Sequence, residues 1–251
     1  MTGVSYATLG IGAGSQIRGV TIAGLVLGGG QSVSGVNVSG LVLGAGDHIT
    51  GVNFGGLVLG AGSGISGINI SPGVIGAGNS VTGINVGGLV VASGEQIYGV
   101  NLAGIVLGSG ERISGLNISL GVVGSGNMVS GVNLGGLAVG SGNRLEGLNI
   151  SSLAVGSPTI TGLSASMVVI SENTRGFVVA PATHRIENNG SFSGVSFSAY
   201  NRFIGSQNGL SIGLLNYTRR LNGMQLGMLN IVSQNPRGRR ALPLLNWNFR
   251  N

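Results

Sequence analysis

GVNVSGLVLGAGDHIT, from Gly35 to Thr50, is the unit that the rest of the chain repeats. The same frame returns as GVNFGGLVLGAGSGIS from Gly51, GINVGGLVVASGEQIY from Gly83, GVNLAGIVLGSGERIS from Gly99 and GVNLGGLAVGSGNRLE from Gly131. Its leading glycines recur every sixteen residues from Gly3 to Gly147. A fixed short period means that each unit buries its apolar side chains only by stacking on its neighbours, so repetition decides the architecture before any single motif does.

The spacing inside the unit points to short strands. Across one junction the large apolar side chains are Ile49, Val52, Phe54, Leu57 and Leu59, separated by three, two, three and two. A helix would give threes and fours, and a strand in constant phase would give twos throughout. We read each three as a corner that resets which side faces inward. Gly51 and the pair Gly55 and Gly56 stand at those corners, where glycine tolerates the backbone angles required. This reading puts Val52, Phe54, Leu57 and Leu59 in the core. Strand alternation then places Val58, with its equivalents Val26, Val42, Val90 and Val106, on the opposite face as a candidate apolar contact row.

Two polar features accompany the apolar frame. Asn37, Asn53, Asn69, Asn85, Asn101, Asn117, Asn133 and Asn149 occupy one position of successive units, and stacked copies of one amide can hydrogen-bond along the stack as a structural ladder. Charged and variable residues gather just before the final β-branched pair, as in Asp47 and His48, Asn79 and Ser80, Glu95 and Gln96, Glu111 and Arg112, and Asn143 and Arg144. These should form a wet rim.

Composition agrees with an ordered repeat. Glycine makes up 52 of 251 residues, about three times its usual share, and charged residues are only 7%. The glycines sit in register between Val, Leu and Ile, which disordered segments lack. A Gly, Ser or Asn interrupts every apolar run, so no membrane-spanning helix is expected, and the first ten residues, MTGVSYATLG, show no signal peptide. There is no cysteine, hence no disulfide and no thiolate metal site. Net charge is +6, carried entirely by arginine, and Arg219, Arg220, Arg237, Arg239, Arg240 and Arg250 lie close to the C-terminus. Arg237, Arg239 and Arg240 are the candidate contacts for an anionic partner, because guanidinium engages phosphate bidentately.

Along the chain we expect one continuous domain in three stretches. Regular sixteen-residue repeats occupy 3–161, degenerate repeats with a polar loop occupy 162–193, and shorter repeats with a closing C-terminal strand occupy 194–251. Two regular units place Gly73 and Gly121 where others have Leu. Either the core narrows there or Pro72 and Leu120 swing in to fill the space. In the second stretch GFVVAPA, from Gly176, echoes GLVLGAG. In the third, GLSIGLLN matches GVNVSGLVL with one corner residue deleted.

The run GLSIGLLNYTRRLNGMQLGMLN, followed by LPLLNWNF, resembles the C-terminal end of bacterial surface-repeat proteins of the Bacteroidetes type. In those, units of the form GLQIGLxN lead into a terminal LPxxNWxF segment. The resemblance covers Gly209 to Phe249. It implies a β-flower, a closed shallow barrel or ring of β-hairpins, and a place at the bacterial cell envelope or outer surface; it implies no activity. Ring closure would remove sheet edges and account for the lack of a polar cap in GVSYATLGIG. The expected fold is therefore an all-β repeat protein closed as a ring, with an open β-solenoid of sixteen-residue coils as the alternative.

Chemistry-bearing constellations are sparse. His48 and His184 lie in different regions, the six acids show no recurrent pair, and neither a metal set nor an acid/base pair emerges. The runs GAGSQI and GSGERI lack the Lys-Ser/Thr ending of a phosphate loop. No catalytic residue, metal or cofactor site is expected, nor a small-molecule substrate. Nucleic-acid binding is not expected either, since most arginines lack neighbouring stacking aromatics. What remains is a non-enzymatic structural or surface protein whose apolar faces meet membrane lipid, a partner or another copy. The alternative is a module that binds a lipid, an apolar ligand or a surface glycan.

Overall fold

A computed structural model describes residues 1–249; Arg250 lies outside the described residues. The chain divides into two units, Met1–Asn127 and Met128–Asn251. Both are parallel β-solenoids, the first built of sixteen-residue coils. In one coil an eight-residue strand, His48–Gly55, turns into a four-residue strand, Val58–Ala61. Each strand pairs in parallel with its equivalent sixteen residues on: His48 with Gly64, Val52 with Ile68, Val58 with Val74.

The leading glycine makes the coil possible. Gly51 has φ 110°, and a side chain there would place its Cβ 2.1 Å from the carbonyl oxygen of Gly35. A positive φ lets the long strand bend round a corner without reversing, and the missing Cβ lets one coil sit directly on the last. Fifteen leading glycines share this geometry, from Gly3 through Gly223, with φ between 93° and 139°.

The solenoid replaces the expected ring. Hairpin petals would pair antiparallel, whereas the coil-to-coil pairings among the described residues are parallel, in register in the first unit and with one register shift, between Phe203 and Ser206, in the second. The last strand, Ala241–Asn248, does run antiparallel, but it lies on Leu215–Val232, with Trp247 opposite Met224, and not on the first strand. It covers the final coil. The first strand, Thr2–Ala7, pairs only with Gln16–Ala23 among the described residues, leaving Val4 85% exposed.

The core is also composed differently from the expectation. Ile49 and Leu59 are buried, but Val52, Phe54 and Leu57 face outward. Apart from Gly64, which has no side chain, the inward residues of this stretch are Ile49, Asn53, Gly55, Leu59, Ala61 and Ile65, all an even number apart. Alternation is therefore continuous and never resets, because sixteen is even and the corners preserve phase. Val52, Phe54 and Val58 have the opposite parity and point out; Leu57 stands at the corner. Neither way of filling space at Gly73 and Gly121 is needed. Gly73 and Gly121 are themselves buried at the corner, where a Cβ would lie 2.2 Å from the carbonyl oxygen of Leu57 or Ile105, and Pro72 and Leu120 are exposed.

In the second unit the spacing of leading glycines changes to fifteen, fourteen, eighteen, fifteen and fourteen, through Gly147, Gly162, Gly176, Gly194, Gly209 and Gly223. Strand geometry runs unbroken round the corners over Val168–Ile212 and Leu215–Val232. Gly176 pairs with Gly162, and Phe177 with Leu163. GFVVAPA is thus the start of a coil and not an echo of the GLVLGAG segment.

Candidate functional site

The amide column runs through the interior. In the first unit each Nδ2 donates to the Oδ1 of the next coil, from Asn37 to Asn53, Asn69, Asn85, Asn101 and Asn117, at 2.8 to 2.9 Å. In the second unit Asn133 donates to Asn149 at 2.9 Å. All eight are buried. Each bond contributes about 0.5–1.5 kcal/mol net, and the larger effect is that removing an inner member would leave its two neighbours unpaired in the interior.

The ladder ends where the column changes residue. Thr21 precedes Asn37, and both Thr21 Oγ1 and Asn37 Oδ1 lack a partner; Ser164 follows Asn149, and both Asn149 Nδ2 and Ser164 Oγ lack one. A second relay then forms on another side of the core. His184 Nδ1 lies 2.8 Å from Ser196 Oγ, which donates to Asn201 Oδ1 at 2.6 Å. Asn201 donates to Asn216, and Asn216 to Asn230. The single hydroxyl proton of Ser196 is given to Asn201, so His184 is the donor at Nδ1 and its Nε2 carries the lone pair. That Nε2 is buried without a partner.

His184 packs edge-on against Phe192 and Phe203 at 5.1 and 4.9 Å. Burial pushes its pKa from about 6.5 down to about 3. The His184–Ser196 pair has the atom types of a nucleophile and base, but both residues are fully buried, so no substrate reaches them. His48 is exposed in the first unit. Among the described residues no three His, Asp or Glu side chains come together as a metal site.

The outer surface carries the apolar character. Val26, Val42, Val58 and Val106 are exposed and Val90 is half-buried, each on a short strand. The adjacent long-strand face, which apolarity alone would assign to the core, is more extensive. Its two outward columns in the first unit begin at Val4 and Tyr6 and end at Leu116 and Ile118, and every member is apolar or aromatic. The second unit continues the pattern from Val132 and Leu134 to Met224 and Leu226. No described helix is long and apolar enough to cross a membrane.

A polar groove of about 390 Å³ lies in the second unit. It collects outward side chains from successive coils: Arg144 and Glu146, Thr159 and Thr161, Asn173 and Arg175, Ser191 and Ser193. Arg144 pairs with Glu146 at 3.2 Å, and Asn173 Oδ1 accepts from the backbone and hydroxyl of Ser191. Arg175 has no partner among the described residues. Register reveals this group: Arg144, Thr159 and Asn173 lie side by side, as do Glu146, Thr161 and Arg175, although unequal coil lengths scatter them in sequence.

The C-terminal arginines occupy an exposed 3-10 turn, Arg237–Arg239. Arg239 lies over the ring of Trp247, 5.3 Å from its centroid, and Arg240 Nε donates to the carbonyl of Asn235 at 3.0 Å. Two of the three candidate anion contacts thus help seat the closing strand, and Arg237 extends to solvent. No family model, no curated protein and no solved structure matches this chain.

Proposed function

We propose that the chain is a non-enzymatic structural protein of the bacterial cell envelope that associates through its outward aliphatic columns. The observation that carries this reading is a sheet face of Val, Ile and Leu side chains left uncovered over successive coils. Contiguous apolar surface of this extent marks a contact site. The C-terminal resemblance to bacterial surface-repeat proteins supports the envelope location. The purified chain should self-associate, or float with lipid vesicles or detergent micelles. A chain that stays monomeric and ignores both lipid and detergent would sink the reading.

The groove favours a second reading, a module for an acidic surface glycan. Arg175 offers an uncommitted guanidinium for a carboxylate, and Thr159, Thr161, Ser191 and Ser193 offer hydroxyls to a sugar. Titration with a uronate-containing oligosaccharide should show binding that Arg175→Ala weakens about tenfold, or about 1.4 kcal/mol. Equal binding by the variant would remove the groove as the site.

A further inference from the structure

Resting on the proposal of apolar association, we infer that the long-strand face of the first unit is covered by a second copy of this chain, related by a two-fold axis. Val36, Val52, Ile68 and Ile84 stand in one column of this face, between 42% and 47% exposed, beside a column containing Phe54 and Ile70. Neither of the two columns carries a charged residue in the first unit; Arg18 and Arg112 stand at other outward positions of the long strands.

Charge argues against an anionic membrane as the occupant. Residues 1–127 hold two arginines, Arg18 and Arg112, against Asp47, Glu95 and Glu111, a net charge of −1, whereas the other unit carries +7 and so makes the whole chain +6. Faces that settle into a lipid surface carry basic residues at their margin and aromatic anchors such as Trp. The first unit has no Lys and no Trp. A dissimilar protein partner is usually selected by charged marks, and the two columns offer none.

Geometry and area favour an identical partner. Parallel coils repeat the same side-chain ridges about every 4.8 Å, and a second copy presents ridges of the same spacing that interdigitate with them, as in a dry zipper between sheets. Eight coils at that spacing, by a strip about 12 Å wide, give roughly 450 Å² per copy. A pair therefore hides roughly 900 Å² in projection and more once corrugation is counted, which reaches the ~1,000 Å² of a specific interface. The same patch on both copies makes the contact isologous, so this face closes at two.

The test is the solution mass of the full chain by light scattering and sedimentation. Wild type should show twice the single-chain mass. Ile68→Lys with Ile84→Lys should halve it while strand content and melting temperature are kept, and Val58→Lys, on the short-strand row, should leave the pair intact. If the lysine pair perturbs folding, Ile68→Thr with Ile84→Thr keeps the β-branched shape and should still weaken the pair at least tenfold. A pair that survives both double variants, or that Val58→Lys dissolves, overturns the inference but leaves apolar association standing. Monomeric wild type that floats with zwitterionic vesicles does the same; monomeric wild type that binds no vesicle overturns both.

Discussion

Asn53 donates from Nδ2 to Oδ1 of Asn69 at 2.9 Å inside the coil, while Val52, its neighbour in the chain, faces outward. Polar inside and aliphatic outside is the reverse of the usual arrangement, and it fixes the sign of two substitutions. Asn53→Ala breaks two bonds and leaves Asn37 Nδ2 and Asn69 Oδ1 without their ladder partner in the interior. Each buried orphan costs about 1–3 kcal/mol, so denaturant unfolding should show a loss of about 2–5 kcal/mol. Val52→Thr should change stability by less than about 0.5 kcal/mol. Equal losses would mean that Val52 belongs to the core after all.

The ladder begins one coil late, and that coil can be recruited. Thr21 stands in register with Asn37, and its hydroxyl and Asn37 Oδ1 are both buried and unpartnered. In Thr21→Asn the new Nδ2 can donate to Asn37 Oδ1 with the geometry used further along. The variant should gain about 0.5–1.5 kcal/mol, read as a higher denaturation midpoint at unchanged slope.

Much of the fold was legible in the residues, and its failures share one cause. The sixteen-residue period, the strands and the Asn column follow from recurrence alone. The facing of Val52 and Phe54 does not, because apolarity served as the guide to what lies inside, and here the inward positions are filled by Asn53, Gly55 and Ala61. Parity was the better signal. Ring and solenoid were separated wrongly because the bare N-terminal segment suggested closure, whereas parallel register is set by the positive φ at Gly51 and its equivalents, which sequence does not display. The polar groove and the His184 relay stayed hidden because coils of unequal length obscure which residues share a column.

The glycines differ sharply in what they tolerate. At Gly83, with φ 104°, a Cβ would lie 2.1 Å from the carbonyl oxygen of Gly67, so both the conformation and the coil spacing resist a side chain. At Gly76 a Cβ would meet nothing within 4 Å. Gly83→Ala should destabilise by at least about 2–3 kcal/mol. Gly76→Ala should be neutral or stabilise by up to about 1 kcal/mol, through reduced freedom of the unfolded chain. Thermal melts of the two single variants decide it, and similar midpoints would contradict the stacking geometry.

His184 ties the second unit to pH. Burial lowers its pKa to about 3 in the folded chain, against about 6.5 when unfolded, so below the higher value the unfolded chain binds the extra proton. The group costs nothing above about pH 6.5, and stability falls with acidification from there towards about pH 3, by up to about 1.4 kcal/mol per pH unit. A comparison with a variant isolates the ring's contribution. His184→Gln keeps a donor for Ser196 and removes the titrating ring. Its unfolding free energy should vary less between pH 7 and pH 5 than that of wild type, although its stability at pH 7 is lower because the contacts with Phe192 and Phe203 are lost. Parallel pH curves for the two proteins would show that the ring is not shielded from solvent protons in the folded state.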